Sequence, residues 1–179
     1  MGTGHQPAPM VFAGKVLADV VRLIKGDRYR SRLISKIMFG AYNKHIKNVR
    51  TVNDWLTRDE AVVDEYNAGK LTTFLFTVNG YRGLMNMILY VRKPRNIERI
   101  PKNLPMLMIS GLDDPVGEYG KGVYRAYNSY HGHIDDIDLR LYEDCRHELC
   151  NELNKEEIYE EIYGWIMNHM SCLLYTSPS

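Results

Sequence analysis

Four consecutive apolar residues, Met106-Leu-Met-Ile109, framed by Pro105 and by Ser110-Gly111, constrain this chain more than any other stretch. So short a run with no polar position leaves no face for water, and it predicts a strand buried on both faces, as in a parallel sheet covered by helices. Further on, Ile137, Leu139 and Leu141 alternate with Asp138, Arg140 and Tyr142, the period-2 pattern of a second strand. Residues 116–130 between them are weakly helical. Ile158, Ile162, Trp165, Ile166 and His169 form one stripe of a last helix, with capping spacing from Asn154 to Glu157 at its start. From residue 105 the order is strand, helix, strand, helix, so the fold class is α/β, with a β-α-β-α unit of a parallel sheet. Two strands do not complete such a sheet, and the expectation is the C-terminal part of a larger fold.

The first half reads as mostly helical. Met10, Ala13, Leu17, Val20, Val21 and Ile24 fall at helical spacing up to Gly26, and Leu33, Ile34, Ile37 and Met38 give the apolar face of a shorter helix stopping at Gly40. Thr57-Arg-Asp-Glu60 has the spacing of a capping box for a helix ending at Gly69, and another helix is expected over 80–91. Charge is balanced overall, Lys+Arg 23 against Asp+Glu 22, which argues against a polyanion as the partner of the whole chain. Between Lys15 and Arg50, however, ten basic residues face two acidic ones. That asymmetry suits an anionic lipid surface, or simply solvated helix faces, better than nucleic acid, for which no motif is present.

Asp113-Asp114-Pro115 lies just past the first strand, and Cys145-Arg-His147 a few residues beyond the second. Catalytic groups of open α/β sheets collect at the carboxyl ends of strands, although each motif alone is ordinary turn chemistry. As a pair they reproduce the last two members of the chain order Ser, Asp, His of α/β-hydrolases. His131-Gly-His133 with Asp135 and Asp136, and the trio Cys145, His147 and Cys150, lack the paired spacing of a structural zinc site, so no metal and no cofactor is expected. The three cysteines form no CxxC, no signal peptide opens the chain, and no run of 18 apolar residues occurs; the expected compartment is cytoplasmic, without disulfides.

Gly2-Thr-Gly-His-Gln-Pro7, Arg28-Tyr-Arg-Ser31, Phe39-Gly-Ala-Tyr-Asn43, Asp54-Trp-Leu-Thr-Arg-Asp59, Pro105 to Val116, and Arg146-His-Glu-Leu149 with Asn151-Glu152 together resemble the serine aminopeptidase-type α/β-hydrolases, the lysophospholipases and monoacylglycerol lipases. The resemblance covers about residues 2 to 170. It implies that Asp114 is the acid of a catalytic triad, with Asp113 as runner-up, and that His147 is its base. It also implies a loop after a missing strand at 1–7, a helical cap over an acyl-binding pocket at 8–100, and the C-terminal part of the hydrolase core at 101–170. In the family a Gly-x-Ser-x-Gly nucleophile elbow and a His-Gly oxyanion loop precede the Gly-Thr-Gly segment. Here none of Ser31, Ser35, Ser110, Ser129, Ser171, Ser177 and Ser179 has Gly two residues before and after it.

The expectation is therefore a fragment of a serine hydrolase that cleaves acyl esters of lipids, inactive alone because the serine is absent. Its partners would be a small-molecule lipid ester in the complete enzyme and a membrane surface touched peripherally by the basic cap. The alternative is a non-catalytic lipid- or partner-binding cap protein. Residues 171–179, with Cys172-Leu-Leu-Tyr-Thr-Ser177, resemble one reading frame of a transposase sequencing adaptor and are expected to be a non-native tail.

Overall fold

The computed structural model describes residues 5–174, with side chains from His5 to Met170. The first half is helical. α1 (Ala8–Lys25) ends at Gly26, whose φ of 84° lies in the left-handed region and whose N–H returns to Arg22. α2 (Arg32–Phe39) begins where the Ser31 hydroxyl accepts the Ile34 N–H at 3.2 Å. α3 (Glu60–Ala68), α4 (Val78–Val91) and the four-residue α5 (Pro94–Ile97) follow. α1 packs along α4, and Val78 and Asn79 donate their N–H groups to Tyr29 and Asp27, pinning the loop after α1 to the start of α4. The core here is Ala18, Ile34, Val78 and Tyr81, with Leu17, Val21, Met38 and Phe39 packed against it.

The second half is the expected unit: β1 (Met106–Gly111), α6 (Lys121–His131), β2 (Ile137–Tyr142), a 3-10 turn over Leu149–Asn151 and α7 (Lys155–Leu174). β1 and β2 pair in parallel, in register from Met106 opposite Ile137 to Gly111 opposite Tyr142. The apolar run buries as its composition requires, Met108 to Gly111 being buried, whereas every residue of the alternating β2 stays half-buried. A second core of Ile109, Cys145, Leu149 and Ile158 lies under the sheet, joined by Leu107, Tyr142 and Ile162.

Several local expectations are corrected. Thr57 is not the cap of α3: Asp59 is, accepting the Ala61 N–H at 3.0 Å, while the Thr57 hydroxyl donates to the Asn151 carbonyl at 2.7 Å. A long-range partner outcompetes the local cap. Asn154 is likewise drawn away, its Oδ1 accepting from Arg58 and from the Cys145 thiol. On α2 only Ile34 is buried, while Leu33 and Ile37 are exposed. On α7 the stripe narrows to Ile158 and Ile162. Ile166 is exposed, and Trp165 and His169 turn to polar partners, Asp138 and Asp136. The α7 backbone stays helical to Leu174, past the start of the expected tail; residues 175–179, like 1–4 of the expected leading loop, lie outside the described residues.

Candidate active site

The parallel register delivers the loops after β1 and β2 to the same end of the sheet. Beyond the strands the two chains stay in contact: Leu112 donates its N–H to the Tyr142 carbonyl at 2.8 Å, and Asp113 to that of Cys145 at 2.9 Å. This approach needs glycine at 111. A Cβ there would lie 2.0 Å from the Cys145 carbonyl oxygen and 2.4 Å from that of Arg146. No side chain fits between two backbones that close, so Gly111 determines how near the loop carrying His147 can come.

At the junction His147 Nδ1 lies 3.0 Å from Asp114 Oδ2. Asp114 is wholly buried, and its carboxylate is satisfied: Oδ1 accepts the Val116 N–H at 2.8 Å, and Oδ2 takes His147 together with the Ser110 hydroxyl at 3.4 Å. A carboxylate stripped of water requires such partners. Asp113 is exposed and offers only its backbone to the junction, so the structure brings Asp114 and His147 together and leaves Asp113 outside. Ser110 is buried in β1 with its hydroxyl on Asp114. The His147 ring is about one-quarter exposed, with Nδ1 on the carboxylate and Nε2 on the opposite edge.

The first half of the chain supplies the other wall. The Trp55 ring lies against His147 with centroids 5.1 Å apart, and Tyr42 meets Trp55 edge-on at 4.9 Å. Burial, reinforced by the Asp114 charge, pushes the Tyr42 phenol up to about 12. Tyr119 is raised too, by burial and then by Asp113 and Asp114. Glu118, Tyr119 and Gly120 all have positive φ, at 51°, 55° and 85°, so the chain leaves Asp114 through a strained left-handed turn.

Behind the His147 loop, the fully buried Glu152 forms an ion pair of 2.8 Å with Arg58, and Arg146 donates to the carbonyls of Asp54 and Thr57 at 2.7 and 3.0 Å. The Asp54 carboxyl is pulled two ways. Burial pushes it up, but hydrogen bonds from the Thr51 hydroxyl and the Arg50 and Thr51 N–H groups outweigh that and hold it below the usual carboxylate range. A polar cavity of about 230 Å³ opens beside this cluster, lined by Lys47, Arg50, Arg58 and Arg146 among others, but by neither Asp114 nor His147. Of the other histidine motifs, His133 is bound to the Ile100 carbonyl and His131 packs on Tyr127. Among the described residues no three His, Cys, Asp or Glu side chains are grouped to hold a metal.

Sequence reasoning singled out Asp114 and His147 but assigned no role to Trp55, Tyr42, Arg58 or Glu152. Apart from the capping spacing of Thr57 to Glu60, the segments Asp54 to Asp59 and Asn151-Glu152 were conspicuous only through the family resemblance, and no local periodicity marks residues whose partners are 94 positions away.

Comparison with known proteins shows which solved structures share this fold. A carboxyl esterase of Bacillus coagulans, solved with glycerol, superposes with a TM-score of 0.80 at 21% identity, over 95% of this chain and 54% of that one. A soluble variant of monoglyceride lipase from Saccharomyces cerevisiae gives 0.64 at 16% identity, over 93% and 52%. An uncharacterized abhydrolase domain-containing protein of Dictyostelium discoideum is 29% identical over 125 residues, 69% of this chain and 13% of that protein. The chain thus spans about half the length of these solved structures. The model of one family, the serine aminopeptidases S33, matches residues 7–154, and since that is most of the 179 residues, the chain belongs to this family of α/β-hydrolases.

Proposed function

We propose that Asp114 and His147 are the acid and base of a Ser-His-Asp triad in a serine hydrolase that cleaves acyl esters of lipids, of the lysophospholipase or monoacylglycerol lipase type. The observation that carries this reading is the contact of 3.0 Å between His147 Nδ1 and the buried Asp114 carboxylate. In such a triad Nδ1–H donates to the carboxylate, which fixes the tautomer, while Nε2 takes the proton of the attacking serine and returns it to the leaving group. The carboxylate stabilises the imidazolium that forms. Trp55 closes one side of the imidazole, and the helical residues 8–100 serve as a cap whose apolar lining receives the acyl chain.

No serine of these 179 residues stands in a Gly-x-Ser-x-Gly elbow, and the His131-Gly132 pair closes α6 instead of preceding the Gly2-Thr-Gly4 segment as the family's oxyanion loop does. Without an acyl-forming serine and oxyanion donors, the chain by itself hydrolyses esters at background rate. The test has two arms. The chain alone is assayed on p-nitrophenyl acyl esters of graded length, with no turnover expected. The reading frame is then extended upstream in the source DNA, and the longer protein is assayed with Asp114→Asn and His147→Ala. A longer protein that carries a serine elbow, yet is unaffected by these substitutions, would falsify the assignment.

A second reading is favoured by one observation. Leu23, Ile24, Leu33 and Ile37 are exposed large apolar residues, and Lys25, Arg28, Arg30, Arg32 and Lys36 occupy the same stretch of chain. A non-catalytic protein that lies on lipid through this region would co-float with anionic vesicles and not with neutral ones. Among the described residues no helix is long and apolar enough to cross a membrane.

A further inference from the structure

We propose that Glu152 is a positioning residue, which fixes the His147 imidazole against Asp114 by tying the backbone just before His147 to the Thr57-Arg58 segment. The inference rests on the reading of Asp114 and His147 as an acid–base pair and adds to it the group that places the base.

The Glu152 side chain is wholly inaccessible, and donors converge on it from both segments. Oε1 accepts the Arg146 N–H at 2.8 Å and the Arg58 N–H at 3.3 Å; Oε2 accepts Arg58 Nε at 2.8 Å and the Leu153 N–H at 3.3 Å. An ion pair needed for stability alone would be complete with Arg58. The bond to the Arg146 N–H lies one residue from His147, at a loop position that neither strand nor helix orders.

On the other side of His147 the same two segments meet again. The His147 N–H reaches the Trp55 carbonyl at 3.4 Å and the Glu148 N–H that of Leu56 at 2.7 Å. The His147 loop is therefore laid on residues 54–58 as on a template, and the template's own backbone is bound to Glu152 through the Arg58 N–H. Charge-assisted bonds to a desolvated carboxylate are short and directional, which suits holding a ring nitrogen at hydrogen-bond distance from a second carboxylate. Asp144, three residues before His147, has a φ of 54°, a left-handed position that aspartate tolerates, so the loop enters through a sharp turn.

The experiment is NMR on the complete chain labelled with ¹⁵N, following the His147 Nδ1 proton, which a carboxylate partner moves downfield of the amide envelope. Glu152→Asp keeps the charge, which the flexible Arg58 guanidinium can follow, but retracts the carboxylate by one methylene from the Arg146 N–H, which the backbone holds in place. It is expected to abolish or broaden the His147 resonance while far-UV circular dichroism stays unchanged. Glu152→Gln is expected to do the same wherever it folds. If Glu152→Asp folds and keeps the resonance at its wild-type position, the inference is overturned. Should both variants unfold, hydrogen exchange on the wild-type chain decides: an Arg146 amide protected like β1 supports the restraint, and one exchanging at loop rates refutes it. Asp114→Asn serves as the control for the underlying reading. If it leaves the resonance in place, the acid–base pairing itself is wrong; if it removes the resonance while Glu152→Asp does not, only the role of Glu152 falls.

Discussion

The two halves of this molecule bury different things. Around α1, α2 and α4 the core is Ala18, Ile34, Val78 and Tyr81, and ion pairs such as Arg22 with Asp27 or Arg50 with Asp64 stay at the surface. Exposed pairs of this kind contribute little. Around β1 and β2 the apolar core of Ile109, Cys145, Leu149 and Ile158 is accompanied by two carboxylates, Asp114 and Glu152, from which water is wholly excluded. A half whose core is mainly apolar gains its stability chiefly from area. A half that buries charge must supply a partner for every oxygen, and that demand fixes side-chain positions to within a hydrogen bond, as chemistry requires. Residues 54–58 belong in sequence to the first half but are bonded into the second, through Arg58 and Thr57.

The strongest way to break this contrast is Gly111→Ala. The added methyl meets backbone on two sides and has nowhere to move, so urea denaturation should register a loss of more than about 3 kcal/mol. A stable Gly111→Ala protein would mean that the loops after β1 and β2 are not in close contact. Next comes Arg58→Met, which strands the Glu152 carboxylate. Because Arg58 itself is partly exposed, the expected cost is near the low end for a broken buried pair, about 3 kcal/mol. A neutral result would show that water reaches Glu152.

Ile34→Ala probes the other half. A fully buried Ile truncated to Ala should cost about 2 kcal/mol, since neighbours such as Leu17 and Met38 are only partly buried and can relax into the space. The His147 Nδ1 proton should not notice; a change there would erase the distinction between the halves.

Two smaller effects concern pH. The Tyr42 phenol, raised from 10.0 to about 12, ionises in the unfolded chain before it does in the folded one. Its contribution is complete below pH 10.0 and fades as pH rises toward 12, so Tyr42→Phe should flatten the alkaline limb of a stability–pH curve over that window. The smallest effect belongs to His5. Burial, then Arg92 and Arg125, hold its pKa below 6.5, so protonation favours the unfolded chain and stability falls as pH drops below that value. His5→Gln should remove that part of the acid limb, and an unchanged limb would mean that His5 is not held between the two arginines.

How far this could be read in advance depends on the range of each interaction. The run Met106 to Ile109 and the alternation of Ile137 to Tyr142 predict both strands, and helices around 10–25, 80–91 and 155–170 follow from periodicity to within a few residues. The failures fall where a side chain had a better partner elsewhere: Thr57 and Asn154 look like caps, and both are taken by residues across the fold.

The sequence by itself determined that a parallel α/β unit forms, and that an aspartate pair and a histidine emerge at one end of its sheet, because strand periodicity and chain order are local properties that bury the same faces in any context. Only the tertiary structure decided that Asp114 rather than Asp113 meets His147, and that Trp55, Arg58 and Glu152 gather around the loop that carries it. Those contacts join positions 33 and 94 residues apart, and the free energy of bringing a carboxylate out of water depends on partners that no window of sequence contains.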